Sequence, residues 1–342
     1  MAPRLAPRRY APLSCALALI ALTAACSGSM EGSESKAGEE QASRHAAAGV
    51  VSREHATGLL DRYVSVNNRA NKSRDGKLLS TVEGGALLEQ SKADYKQSAL
   101  ASTKEKAEYG EPFYYVDRRY FIPRKGKASW FAVSARIKDD DGKSRRPVLL
   151  VFDREEKEPW KLVASVQAPK GRNLAPATDE ESFLRSVPAS ARQGDMAPDQ
   201  LKAALTRLYT KREVAASGFK PNKLARAINK SARDAADGVG EGGRMHWMSG
   251  GTRHTKTYAM KTRSGQTLAV FATPVDRTVR VTEPGYTVNP NEVEQVYVGE
   301  SGAQGFLTYY LHQSVALIPA SGKPTLLGSE YSLIGCERED GF

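Results

Sequence analysis

The first 26 residues most constrain what can fold here, because they carry the pattern of an export leader rather than of a globular core. Arg4, Arg8 and Arg9 make a basic start, and the apolar run of residues 11–21 follows. Small residues then precede Cys26, as they do at a signal-peptide cleavage site. The apolar run is well short of the roughly 20 residues that a membrane-spanning helix needs. We therefore expect residues 1–25 to be removed as a signal peptide.

The segment Leu22-Thr23-Ala24-Ala25-Cys26 resembles the bacterial lipobox. This resemblance implies cleavage before Cys26 and attachment of diacylglycerol to its thiol. The alternative is a plain secretory signal that leaves Cys26 as a free thiol. Residues 26–49 are rich in Ser, Gly, Glu and Ala, so they predict a disordered tether that spans roughly 25 Å. The sequence thus predicts a folded body held by lipid at the extracytoplasmic face of the cell membrane.

The chain carries a formal net charge of +11. This charge favours anionic neighbours, such as phospholipid headgroups or an acidic envelope polymer, although it also serves solubility. Basic and acidic residues are mixed, without a tract of five or six like charges, so we expect no nucleic-acid partner. Once Cys15 leaves with the leader and Cys26 takes lipid, Cys336 is a single thiol without a disulfide partner. We expect it to be buried and inert.

Residues 50–168 predict a first α+β domain. Ser52 is a candidate N-cap, and apolar residues recur at helical spacing after it and again over residues 78–95. Aromatic and alternating apolar residues then indicate strands over residues 113–121, 130–137, 148–152 and 160–166. Residues 131, 133, 135 and 137 are expected to share one face of their strand. The alternation from Trp160 places Leu162, Ala164 and Val166 on one face as well.

Residues 169–196 predict an interdomain linker, because prolines and glycines are frequent there and apolar periodicity is weak. We expect a short helix over residues 179–185 inside it. Residues 197–342 predict a second α+β domain with the same order of elements. Its helices are expected over residues 198–209 and 221–238, and a loop carries His246. Its strands are expected over residues 255–262, 266–273, 294–298, 305–318 and 325–336.

Three segments of the first domain resemble the nuclear-transport-factor-2-like fold, also called cystatin-like. They are Asn67-Asn68-Arg69-Ala70-Asn71, the stretch of residues 75–84 and the terminal strand Trp160-Lys161-Leu162-Val163. The resemblance implies a cone-shaped α+β fold whose curved sheet wraps the helices and leaves a pocket. It implies no reaction, because this fold hosts enzymes, binding modules and assembly domains alike. Its enzymes commonly use a His–Asp pair, whereas the first domain has only His55.

The full chain resembles the actinobacterial lipoproteins called large secreted proteins, whose function is uncharacterised. Residues 64–88 and 129–133 carry that resemblance. Within the first domain, Tyr114, Tyr120 and Trp130 are the candidates to line a ligand pocket. Arg136 and Asp117 would supply its polar groups, since a few convergent polar groups in an apolar pocket are typical of ligand sites. The alternative is that these aromatic residues build the core.

Metal and cofactor motifs are weak. His246 and His254 could meet across a hairpin, but structural or solvated histidines are favoured. Asp139-Asp140-Asp141-Gly142 lacks the alternating oxygen ligands of a calcium loop and predicts a turn. The glycine-rich residues 238–243 follow a helix, whereas a phosphate cradle follows a strand. We expect no metal and no cofactor.

The sequence therefore favours a non-catalytic envelope protein that binds a ligand or a protein partner, with no catalytic residue assigned. One alternative is a pocket-based hydrolase or isomerase of the same fold. That alternative requires two titratable groups within hydrogen-bond reach of each other in the pocket. A second alternative is a purely structural envelope subunit.

Overall fold

A computed structural model describes residues 49–139, 144–154, 158–167, 176–240 and 242–339. The predicted signal peptide, the predicted lipidation site Cys26 and most of the predicted tether lie outside the described residues. So do residues 140–142 of the predicted turn. In the described part of the chain, no helix is long and apolar enough to cross a membrane.

The first unit (residues 49–167) opens with helix α1 (Arg53–Ser73). The Ser52 hydroxyl caps this helix by accepting a hydrogen bond from the His55 backbone N–H at 3.2 Å. Helices α2 (Gly76–Leu79), α3 (Gly85–Gln97) and α4 (Thr103–Gly110) follow. The helix predicted over residues 78–95 is split because the Gly84 backbone N–H donates to the Leu162 carbonyl at 3.0 Å. Helix α4 was not expected from the sequence.

Four strands form an antiparallel meander with the order β1-β2-β3-β4. Their bounds are β1 (Phe113–Phe121), β2 (Trp130–Asp139), β3 (Ser144–Asp153) and β4 (Lys161–Gln167). The alternation predicted for β2 is confirmed. Phe131 and Val133 pack against the helices, whereas Trp130 and Ala132 lie on the opposite face. The first unit is therefore α+β, as expected.

A β-bulge in β4 places part of the strand on a different face of the sheet from the one predicted. The register between β3 and β4 slips by one residue at Val163. Because a bulge reverses the alternation that follows it, Leu162 packs with Trp160 on the helix side. Ala164 and Val166 instead face the second sheet. The prediction that Leu162, Ala164 and Val166 share one face was wrong, because strict alternation takes no account of the extra residue Val163.

Residues 176–196 open the second unit and contact the first. The helix predicted over residues 179–185 does not form, because the Asp179 carboxylate accepts backbone N–H groups of Glu181 and Phe183 and closes a turn. Leu184 forms a β-bridge with Pro123 of the first unit and is buried. This segment therefore takes part in the core.

The second unit (residues 176–339) contains a six-stranded antiparallel sheet with the order β10-β9-β8-β7-β5, and β6 pairs with β8. Its helices are α5 (Leu201–Thr210), α6 (Lys223–Asp237) and α7 (Glu292–Val298). Its strands are β5 (Ser186–Val187), β6 (Gly243–Ser249), β7 (Thr257–Lys261), β8 (Thr267–Val281), β9 (Gly305–Ile318) and β10 (Thr325–Glu339).

Two predictions for this unit are corrected. The strand predicted over residues 294–298 is helix α7, because Asn291 and Glu294 form a reciprocal capping box that starts a helix. The loop predicted around His246 is strand β6, which pairs with β8 from Gly243 to Ser249.

The two sheets share one core. Trp130, Leu149 and Val151 of the first sheet pack with Leu268 and Val270 of the second. The outer face of the first sheet packs on α1, and that of the second packs on α5 and α6. The order of layers is therefore helix, sheet, sheet, helix. The division into two domains at residues 169–196 stays a prediction, and the shared core couples the two units.

Helix α3 adds polar contacts between the units. The Gln90 side-chain amide donates to the Leu311 carbonyl at 2.7 Å, and Gln313 donates to the Gln90 amide oxygen at 2.5 Å. All three groups are buried. Since buried polar groups cost free energy unless they are paired, these bonds fix how α3 lies on β9.

Candidate functional site

A cleft of about 620 Å³ opens between the end of α3, helix α7, the loop after β6 and the far ends of β9 and β10. Its walls therefore come from both units, because α3 belongs to the first and the other elements to the second. Its lining residues are Lys96, Gly250, Arg253, Tyr297, Tyr309, Ile334, Gly335, Cys336 and Glu337.

Lys96 forms one cationic corner of the cleft. Its ammonium lies 4.0 Å from the centre of the Tyr297 ring, within the range of a cation–π contact. The Tyr297 hydroxyl donates to the Leu333 carbonyl at 3.1 Å and accepts from Gln97 at 3.1 Å, so the ring is fixed. Among the described residues, Lys96 makes no ion pair with a carboxylate. Its charge is therefore free to meet a ligand.

Arg253 forms the second cationic corner, on the loop after β6. Its guanidinium lies 3.7 Å from a Glu89 oxygen, and the neighbouring His254 lies 3.2 Å from the other oxygen. The hydrogen bond from His254 lowers the pKa of Glu89. Lys202 donates to the His254 carbonyl at 2.9 Å, and burial lowers the pKa of Lys202 to about 8. Glu89 of α3 and Lys202 of α5 thus hold this loop in place.

Gly250 lets the same loop approach strand β8. A Cβ at this position would lie 2.5 Å from Asp276 Oδ1 and 2.6 Å from Pro274 Cβ, which is too close for any other residue. Burial raises the pKa of Asp276, and Arg253 opposes that shift. A small residue therefore sets the floor of the cleft, with a half-buried carboxylate beneath it.

Two side chains of the cleft that could act as nucleophiles, Cys336 and Tyr309, are held in their protonated forms. Burial raises the pKa of the Cys336 thiol to about 11. Burial and a hydrogen bond with Glu337 raise the pKa of Tyr309 to about 12. A neutral thiol or phenol is a poor nucleophile, so neither side chain is activated for covalent chemistry. The buried thiol expected at Cys336 is confirmed.

The residues predicted to line a pocket in the first unit lie at separate places. Arg136 Nε donates to Asp117 Oδ2 at 2.6 Å, and both side chains are about half exposed. Tyr114 is 45% exposed. Tyr120 packs on the helix side of the sheet, whereas Trp130 is buried between the sheets. The structure thus brings Asp117 and Arg136 together and separates Tyr120 from Trp130.

A second polar cluster surrounds His312 on the face of the second sheet that carries α5. Its ring nitrogens lie 3.0 Å from the Tyr209 hydroxyl and 3.1 Å from the Ser329 hydroxyl. Burial lowers the pKa of His312 to about 3, so the ring stays neutral. The Trp247 and Tyr331 rings pack around this cluster. These contacts account for the buried imidazole as part of the core.

The structure does not bring the predicted histidine pair together. His246 is exposed on β6, whereas His254 contacts Glu89. In the described residues, no group of three or more His, Cys, Asp and Glu side chains could hold a metal ion.

The cleft residues were missed because they come from elements far apart in the sequence. Lys96, Arg253 and Tyr297 stand on α3, the loop after β6 and α7. The only sequence signal was the glycine pair Gly250-Gly251 before Arg253, which lies in the region where a loop was expected between two strands.

Comparison with known proteins places the chain in a family. The family model described as "Domain of unknown function (DUF8094)" matches residues 47–338. The chain belongs to this family. The match runs through both units and the segment between them, so the DUF8094 region includes every wall of the cleft.

Two curated proteins of Streptomyces coelicolor are similar to this DUF8094 chain. The uncharacterized lipoprotein SCO6871 is 26% identical over 287 residues, which cover 81% of this chain and 79% of that protein. The uncharacterized lipoprotein SCO2278 is 30% identical over 162 residues, or 47% of each chain. No solved structure matches the chain.

Proposed function

We propose that this protein is a lipid-anchored envelope protein whose body binds an anionic ligand in the cleft. Two observations support the anchor. Leu22-Thr23-Ala24-Ala25-Cys26 has the form of a lipobox, and the similar Streptomyces proteins are named lipoproteins. The anchor places the protein at the extracytoplasmic face of the cell membrane.

Lipid attachment can be tested with two cysteine variants. Cys26→Ser removes the acceptor thiol, so the protein should lose its palmitate label and move from the membrane fraction to the medium. Cys15→Ser is the matched control, because that cysteine lies upstream of the cleavage site. It should keep both the label and the membrane location. Unchanged labelling of the Cys26→Ser protein would contradict the anchor.

For the first unit, the proposal includes the nuclear-transport-factor-2-like fold. The order of elements supports it, because α1 packs across one face of a four-stranded antiparallel meander. A solved structure of this unit that superimposes on a member of that fold would establish the assignment. A different strand order in that structure would refute it.

The main observation that supports binding in the cleft is the position of the Lys96 ammonium. Among the described residues it contacts the face of the Tyr297 ring and pairs with no carboxylate. Arg253 lines the same cleft and shares Glu89 with His254, so its charge is only partly neutralised. Two cations and two tyrosine rings suit a ligand with a phosphate or carboxylate group and an organic backbone. An acidic envelope polymer has this chemistry, and its approach is favoured by the positive charge of the anchored chain, which is +11 less the three arginines of the leader, or +8.

A titration with poly(glycerol phosphate) tests the ligand class. Lys96→Gln and Arg253→Gln should each weaken binding about 10-fold or more, because a hydrogen bond to a charged group contributes about 1.5–3 kcal/mol. Lys77→Gln is the matched control, since Lys77 is exposed on α2, away from the cleft lining. Equal weakening by all three substitutions would show non-specific attraction and would contradict a site in the cleft.

A further inference from the structure

Helix α6 presents a basic face that the cleft does not use. The Asn222 side chain caps the helix by accepting the Ala225 backbone N–H at 2.8 Å. Ala225, Asn229 and Ala232 are buried against the second unit. The exposed side of the helix carries four basic residues spaced by three and four, namely Lys223, Arg226, Lys230 and Arg233. That spacing places them on one face.

The charge on this face is concentrated and largely unpaired. Residues 214–233 contain five basic residues and no acidic residue. Lys230 pairs with Asp234 in the last turns of α6. Among the described residues, Lys223, Arg226 and Arg233 form no ion pair. Acidic side chains are therefore confined to the C-terminal end of the helix.

We propose that this basic face of α6 docks on the anionic phospholipid headgroups of the membrane. The four cations extend over about 15 Å, at a rise of 1.5 Å per residue, so they can meet several headgroups at once. Charge complementarity selects this partner, because juxtamembrane basic residues are attracted to an anionic leaflet. The inference rests on the proposed lipid anchor for its setting, since the anchor holds the body near the membrane.

Vesicle binding tests the docking separately from the anchor. The probes are vesicles of phosphatidylcholine with and without phosphatidylglycerol, and the protein is the full chain with Cys26→Ser, which cannot be acylated. Lys223→Gln, Arg226→Gln and Arg233→Gln are combined in one variant. Since each basic residue contributes roughly a factor of five, the loss of three should lower the partition coefficient on anionic vesicles by up to about 100-fold.

Two variants control this measurement. Lys72→Gln, Lys125→Gln and Lys127→Gln remove the same charge from exposed positions in the first unit, and this triple variant should keep most of its binding. Lys223→Arg, Arg226→Lys and Arg233→Lys keep the charge on α6 and should bind as the parent does. All variants carry the same leader, so its contribution cancels.

Three results would overturn the proposal. One is equal loss of binding by the two triple Gln variants, which would show that only net charge matters. Another is retention of binding by the α6 Gln variant. The third is tighter, α6-dependent binding to soluble poly(glycerol phosphate) than to anionic vesicles, which would make a wall polymer the partner. Failure of vesicle binding would leave the palmitate labelling of Cys26 unaffected, so the two proposals are tested independently.

Discussion

Truncation of Trp160, which immediately precedes β4, should destabilise the protein far more than truncation of Arg136 on β2. Trp160 is 8% exposed, and its ring lies 5.1 Å from the Phe131 ring in the helix-side core. The Arg154 guanidinium covers the ring at 4.8 Å. Arg136 is about half exposed and pairs with an equally exposed Asp117.

The expected magnitudes follow from these environments. Cutting a buried tryptophan to alanine costs about 3–5 kcal/mol, because it removes apolar contacts and leaves a cavity. At about 2–4 °C per kcal/mol for a chain of this size, the melting temperature of Trp160→Ala should fall by about 6–20 °C. An exposed ion pair contributes about 0–1 kcal/mol. Arg136→Ala should therefore shift the melting temperature by no more than about 4 °C.

Thermal melts of the two variants and of Trp160→Phe, followed by circular dichroism, measure the difference. Trp160→Phe retains an aromatic ring against Phe131, so its loss should fall between the other two. Equal losses for Trp160→Ala and Arg136→Ala, or a larger loss for Arg136→Ala, would mean that the faces of β2 and β4 are assigned wrongly.

Three further predictions concern stability. Folded His312 has a pKa of about 3, whereas a histidine in the unfolded chain has a pKa of about 6.5. The free energy of unfolding should therefore fall as pH drops from about 6.5 to about 3. Urea melts at several pH values should show a smaller fall for His312→Gln. Because the sheets share a core, calorimetry should give one unfolding transition for the described body, and two separate transitions would instead support independent domains. Gly250→Ala should cost about 1–3 kcal/mol by overpacking against Asp276, whereas Gly240→Ala, with open space around it, should stay within about 0.5 kcal/mol in the same melts.

Periodicity predicted the parts of the fold that depend on local pattern. The 3.6-residue spacing after Ser52 found α1, and alternation found β2 and β9 with their correct faces or bounds. It failed where one local contact overrides the pattern. The Val-Tyr-Val run at residues 296–298 has strand propensity, yet the Asn291 capping box starts a helix there. The bulge at Val163 is likewise set by pairing with β3.

The candidate site could not be predicted from local sequence for a different reason. Its cations and tyrosines meet only because α3 lies across β9 through Gln90 and Gln313, two ordinary polar residues more than 200 positions apart. The pocket predicted in the first unit did not include a second sheet packed against β1 and β2. Trp130 is instead buried between the sheets, with its ring centre 5.6 Å from that of Tyr258, whereas Tyr120 lies on the helix side of the first sheet.

A crystal structure of the protein soaked with glycerol phosphate tests the central claim most directly, because it locates the anion. We predict density for the phosphate in the cleft, within hydrogen-bond distance of Lys96 Nζ or the Arg253 guanidinium, and its loss in Lys96→Gln crystals treated identically. Phosphate density elsewhere on the surface, with an empty cleft at saturating ligand, would contradict the proposal that this cleft is the binding site.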